Sequence, residues 1–241
     1  MQTNIYRTPR EAGQAAALKT ASTLIHAVDR QGYARMMVST GQSQFEFFKA
    51  LTAMNLPWPQ VELFHLDEYI GLPITHKASF RKYLKERFID KVTGASMHYI
   101  SGEGDVASTI AELNALIRVH PVDIGVIGIG ENAHIAFNDP PADFATKEPF
   151  LVVNLNESCK RQQVREGWFP SIKDVPTQAI TMSPRQIMAA RTILSIVPYK
   201  VKAAAVQNTL RSSLDNMIPA TILKEHPAWT LFLDEESGAE P

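Results

Sequence analysis

The chain has 241 residues, 45% of them hydrophobic and 20% charged, with a formal net charge of −1. That is an ordinary globular composition. No block of like charges marks a nucleic-acid or anionic-membrane surface, and no apolar run approaches the ~20 residues of a membrane span.

The stretch Met1–Arg7 lacks the apolar core of a signal peptide. The single Cys159 has no partner for an internal disulfide, so a cytoplasmic setting is expected. Although it lies beside Lys160 and Arg161, its thiol is expected to be passive. No linker, low-complexity run or internal repeat interrupts the sequence, so residues 1–241 read as a single domain.

Residues 9–30 read as an amphipathic helix, with Leu18, Ala21, Ile25 and Val28 on its inward face and Gly32 at its end. Ala34–Ser39 is a short apolar run, the first core strand. The polar turn Thr40-Gly41-Gln42-Ser43-Gln44 follows, then Phe45, Phe48, Leu51 and Met54 at helical spacing. A strand, a small turn and a helix in that order present backbone N–H groups and the positive end of a helix dipole to an anion. Thr40 and Ser43 add hydroxyl donors, although Ser and Thr before a helix are also ordinary caps.

The strand Val61–Leu66 ends in Asp67-Glu68-Tyr69. Two adjacent carboxylates point in different directions, so at most one is expected to face the ligand of the first turn. Ser79–Arg87 reads as a helix, Met97–Ile100 as a short strand and Ala107–Arg118 as a helix with Ile110, Leu113, Leu116 and Ile117 inward. Pro121 stops that helix. The apolar run from Asp123 then makes a buried strand that breaks at Gly128 and Gly130. His134 and Asp139 follow, five residues apart, closed by Pro140-Pro141. In an α/β protein, the loop at the carboxyl end of a strand is where ligands bind.

Phe150–Leu155 reads as a strand and Glu157–Arg165 as a polar helix. Gly167–Pro170 is a loop with exposed or lid-like aromatics. Ala179–Ser183 is a strand, with Pro184 suited to the first turn of the next helix. Thr192–Val197 is another, followed by Lys202 at a strand-to-helix junction and a helix through Leu210. Trp229–Leu233 is the last strand. The alternation predicts an α/β fold, a Rossmann-like three-layer sandwich with a mostly parallel sheet flanked by helices. Gly125, Gly128 and Gly130 lack the order of the dinucleotide fingerprint, which argues against a nicotinamide cofactor.

Phe64-His65-Leu66-Asp67-Glu68-Tyr69-Ile70-Gly71-Leu72-Pro73 resembles one signature region of the glucosamine-6-phosphate deaminases. Gly128-Ile129-Gly130-Glu131-Asn132-Ala133-His134-Ile135-Ala136-Phe137-Asn138-Asp139-Pro140 resembles another. The Thr40 turn and Lys202 fall in the family's order, and the resemblance runs from about Thr40 to Leu233. The family also holds 6-phosphogluconolactonases, which share the Gly-x-Gly-x-x-x-His core, and sugar-phosphate-sensing domains. The Ile135–Asn138 continuation and the Asp67-Glu68-Tyr69 segment favour the deaminase branch.

The resemblance implies conversion of D-glucosamine 6-phosphate and water to D-fructose 6-phosphate and ammonia, with no cofactor and no metal. Alternatives within the family are a 6-phosphogluconolactonase, a galactosamine-6-phosphate deaminase and a non-catalytic sensor. By the same resemblance Asp67 is the C2-proton base, and His134 is the ring-opening acid/base. Asp139, where the family commonly has Glu, orients that His. Thr40, Gly41, Gln42 and Ser43 form the phosphate turn, with Lys202 as its lysine. Departures are Asn132 for Asp, Ala133 for Gly and Gln42 for Gly. Asn132 cannot accept a proton, and Ala133 is costly if its φ is positive. A phosphate arginine is expected after residue 155, with Arg161 and Arg165 as candidates. The implied partner is a small-molecule sugar phosphate, with no nucleic acid and no membrane, bound by a monomer or small homo-oligomer.

Overall fold

Short apolar strands separated by helices assemble two sheets in the computed structural model, which describes residues 1–239; the last two residues of the expected 1–241 domain lie outside the described residues. In chain order the elements are β1 (Gln2–Tyr6), α1 (Pro9–Gln31), β2 (Ala34–Val38), α2 (Phe45–Leu51), β3 (Val61–His65), β4 (Asp67–Tyr69), α3 (Phe80–Arg87), β5 (Ser96–His98) and α4 (Val106–Arg118). They continue with β6 (Ile124–Ile127), β7 (Phe150–Asn154), α5 (Glu157–Arg165), β8 (Gln178–Met182), α6 (Pro184–Met188), β9 (Thr192–Ile196), α7 (Ala203–Arg211), β10 (Trp229–Asp234) and α8 (Glu235–Gly238).

The larger sheet has the order β1-β10-β9-β6-β2-β3-β5, and every pair in it is parallel. Both its faces are buried. Met37, Phe64, Ile127, Ile193 and Leu231 pack on one face against α4 and α7. Met36, Leu63, Val126, Leu194 and Phe232 pack on the other, against α1 and α2. Burial on both faces is why these strands read as continuous apolar runs. From β2 the chain moves outward through β3 to β5, then returns to β6 on the other side of β2. That reversal opens a crevice between the carboxyl ends of β2 and β6, the place where open α/β sheets bind ligands.

One expectation, the inward face of α1, is corrected, and the pairing of β7 and β8 and the presence of β1 are added. Phe150–Leu155 and Ala179–Ser183 supply no strands to the large sheet; β7 and β8 pair antiparallel with each other and with β4. Alternating exposure along β7 fits a sheet wet on one side. In α1 the inward face is Ala12, Ala16, Ala17, Ala21, Leu24 and Ala27, while Leu18 is 64% and Ile25 41% exposed. Small residues let α1 lie close on α2: a Cβ at Gly13 would stand 2.8 Å from the Phe47 backbone nitrogen. Gln2–Tyr6, outside every element expected from the sequence pattern, forms β1 beside β10. Among the described residues, no helix is long and apolar enough to cross a membrane.

Candidate active site

One cleft collects the residues at the carboxyl ends of four parallel strands. Thr40, Gly41, Gln42 and Ser43 come from β2, Asp67 from β3, His134 from the loop after β6 and Lys202 from the junction after β9. The β2 turn has Gly41 at φ 100°, a conformation that favours glycine, and a 3-10 turn at Gln42–Gln44 leads into α2. Lys202 is buried and ends a matching 3-10 turn, Lys200–Lys202. Asp234 fixes that junction, because both its oxygens accept from the Tyr199 N–H at 3.1 Å. Burial lowers the Lys202 pKa, while the charges of Glu166 and Glu131 act in the opposite sense.

Asp67 and Glu68 diverge as the strand period requires. Asp67 faces the cleft and makes no side-chain hydrogen bond among the described residues. Burial, and then the Glu68 charge, push its pKa well above the ordinary carboxylate range. Glu68 is fully buried on the opposite side. It accepts from the backbone N–H groups of Tyr69, Phe80 and Arg81, from Ser79 Oγ at 2.8 Å and from Arg81 Nε at 3.3 Å. Glu68 therefore ties β4 to the N-terminus of α3 and leaves Asp67 free.

The loop after β6 is folded around His134. A Cβ at Gly130 would stand 2.2 Å from the imidazole, so only glycine lets the ring pack there. Ala133 has φ 63°, the left-handed conformation flagged as costly for a residue with a Cβ. Asn132 Oδ1 accepts from His134 Nδ1 at 2.6 Å, and Asn132 Nδ2 donates to Asp139 Oδ1 at 3.1 Å and to Ser158 Oγ at 3.2 Å. His134 Nδ1 stands 3.4 Å from Asp139 Oδ1. Asp139 thus reaches the imidazole chiefly through Asn132. Since a carboxylate must face the amide's NH2, the amide oxygen faces the imidazole and Nδ1 carries the proton. In the neutral ring Nε2 is then the free acceptor. Burial pushes the Asp139 pKa up, but the His134 and Asn132 contacts outweigh it and hold the carboxyl below its usual range. Asn132 and Asp139 stand behind His134 and do not line the cleft.

Strand β8 brings the two halves together. Asp67 pairs with Thr181, whose Oγ1 accepts from the Phe137 N–H at 3.0 Å. Asn138 Nδ2 donates to Met182 O at 2.8 Å. Asn138 is a structural residue that its motif position alone did not reveal.

Neither arginine candidate lines the cleft. Arg165 is exposed and paired with Glu131, and Arg161 is exposed. The α5 wall presents Gln162, Gln163 and Glu166 instead. The amphipathic spacing of α5 was the only signal for them, and it does not say which polar face meets a ligand. In the aromatic loop Phe169 is buried, and half-buried Trp168 lines the cleft. Cys159 is buried in an apolar cluster, and burial raises its thiol pKa. Among the described residues, no three His, Cys, Asp or Glu side chains are grouped as metal ligands would be.

A protein of Streptococcus uberis, named glucosamine-6-phosphate deaminase, is 31% identical over 231 residues, 95% of this chain and 95% of its own. A solved structure of a monomeric glucosamine-6-phosphate deaminase aligns with a TM-score of 0.90 at 29% identity, over 99% of both chains. A 6-phosphogluconolactonase from Shewanella baltica aligns with a TM-score of 0.81 at 20% identity, over 97% of both chains, a likeness of fold alone. The family model for glucosamine-6-phosphate isomerases/6-phosphogluconolactonase matches residues 7–232, and the chain belongs to that family.

Proposed function

We propose that this protein is a glucosamine-6-phosphate deaminase, releasing D-fructose 6-phosphate and ammonia from D-glucosamine 6-phosphate. The observation that carries this reading is one cleft holding a buried, unpartnered carboxyl (Asp67), an imidazole with a fixed tautomer (His134) and a turn-plus-lysine cradle (Thr40–Ser43, Lys202). The deaminases among its relatives support the same reaction.

Each step needs one of these groups. The phosphate docks on the β2 turn and Lys202, which holds a small sugar in register. His134 Nε2 takes the anomeric proton and returns it to the ring oxygen, and the ring opens. Asp67 removes the proton from C2 and delivers it to C1. A desolvated carboxylate is a stronger base than one in water, and the substrate's nitrogen cation acidifies that C–H bond. Water then completes the loss of ammonia. Asn132 and Asp139 position His134. We assign the enzyme to the cytoplasm as a monomer or small homo-oligomer; the lone buried Cys159 suits a reducing compartment.

Coupled assays of ammonia and fructose 6-phosphate on the purified protein test this reading. Equal release of both from glucosamine 6-phosphate is expected. Turnover of galactosamine 6-phosphate alone would move the substrate to that epimer, and acid release from 6-phosphogluconolactone without ammonia would replace the reaction.

A further inference from the structure

The cleft contains a carboxylate that the reaction does not use. Glu166 closes the C-terminal end of α5 and lines the cleft with Lys202. Its two oxygens are held by neutral donors: Gln162 Nε2 at 2.7 Å and Trp168 Nε1 at 3.1 Å. These bonds orient the carboxylate without neutralising it, and it forms no ion pair among the described residues. The cleft's other acids are accounted for. Glu131 is paired with Arg165, and Asp67 is the buried group reserved for proton transfer. Among the described residues Lys202 is the only lysine or arginine lining the cleft, and in the sugar-phosphate reading it meets the phosphate. A dianionic ligand without a cation would therefore meet a fixed negative charge and gain nothing in return. A ligand carrying both a phosphate and an ammonium matches both charges.

We propose that Glu166 is the specificity determinant of this cleft, receiving the ammonium of an amino-sugar phosphate and rejecting the same sugar phosphate with a hydroxyl in its place. This rests on the sugar-phosphate reading above and adds the residue that selects the amine.

The test compares 2-amino-2-deoxyglucitol 6-phosphate with glucitol 6-phosphate by calorimetry. Neither has a carbonyl at C1, so neither is turned over. The wild type is expected to bind the amine about tenfold more tightly or better, the scale of a hydrogen bond to a charged group. In Glu166→Gln the amide still accepts from Trp168, and Gln162 can turn its own amide to keep its contact. That variant is expected to bring the two affinities to within about twofold, the amine binding more weakly and the alcohol more tightly than to the wild type, because the charge that attracted one and opposed the other is gone. An unaltered ratio would overturn the proposal. So would equal weakening of both ligands, because Glu166 would then act only by supporting the Lys202 charge. Ammonia release by the wild type with an unaltered ratio removes this inference and leaves the deaminase reading. A collapsed ratio without any ammonia release does the reverse.

Discussion

Asn132 Oδ1 stands 2.6 Å from His134 Nδ1, while Nδ2 of the same amide donates to Asp139 Oδ1 at 3.1 Å. The amide passes the carboxylate's orientation to the imidazole without a proton site of its own. An amide in place of the Asp that the sequence resemblance implies therefore leaves the hydrogen-bond chain intact. Asn132→Ala removes the acceptor and frees the ring. It is expected to lower kcat by about 10- to 100-fold with little change in KM, at or below the low end of the roughly 10²- to 10⁴-fold that a positioned general acid/base supplies. Asn132→Asp keeps the acceptor for Nδ1–H but loses the donor to Asp139, so it should recover only part of kcat. Steady-state kinetics on both variants decide it; an unchanged kcat in the alanine variant would remove the relay.

Asp67 links chemistry to stability. Its folded-state pKa is raised, so folding favours the neutral carboxyl. The stability it contributes is complete below the unfolded value of about 4 and is lost as pH rises through the folded one. An amide has no such loss. Asp67→Asn is expected to melt above the wild type at about pH 8, with the gap closing toward about pH 4. The same variant should lose turnover and keep sugar-phosphate affinity. A melting temperature below the wild type at both pH values would make Asp67 a structural residue.

Much of this cleft is legible because polar residues that follow a parallel strand gather at its carboxyl end. The runs ending at Ser39, Leu66 and Ile127 mark three carboxyl ends, and Thr40, Asp67 and His134 follow each within a few residues. Divergence of Asp67 and Glu68 follows from the strand period alone. Other features depend on tertiary contacts. The alanine face of α1 is chosen by close approach to α2, which a count of large apolar residues misreads. β7 and β8 look like any other strands until a partner is known, because pairing direction is a long-range property. Glu166 sits on a helix whose polar face continues past the cleft, so only the fold distinguishes it from a solvated residue.

Lys202 is a buried cation with no ion pair among the described residues, and burial depresses its pKa. A phosphate would restore the partner it lacks. Lys202→Ala is expected to raise KM for glucosamine 6-phosphate by about 10- to 100-fold, as loss of one hydrogen bond between charged groups implies. kcat should change less, and the inhibition constant measured for unphosphorylated glucosamine should stay the same. Equal weakening of both sugars would place the lysine away from the phosphate.

Ala133 sits where the sequence resemblance implies a glycine, and its backbone tests what that methyl costs. Its φ of 63° costs an L-residue about 1–2 kcal/mol. Two terms oppose that cost. The methyl is buried, contributing about 0.8 kcal/mol, and alanine restricts the unfolded chain by about 0.4–1 kcal/mol relative to glycine. The sum lies near zero, and the turn is held at both ends, with Ala133 N–H on Gly130 O and Ala133 O accepting from the Ala220 N–H. Ala133→Gly is therefore expected to leave stability within about 0.5 kcal/mol of the wild type and kcat unchanged. Ala133→Val adds a β-branched side chain at positive φ and should destabilise by more than about 2 kcal/mol. Urea unfolding of both variants measures this. A large gain from glycine would mean that the strain at this turn is not offset, and that the alanine is retained for some effect on His134 rather than tolerated.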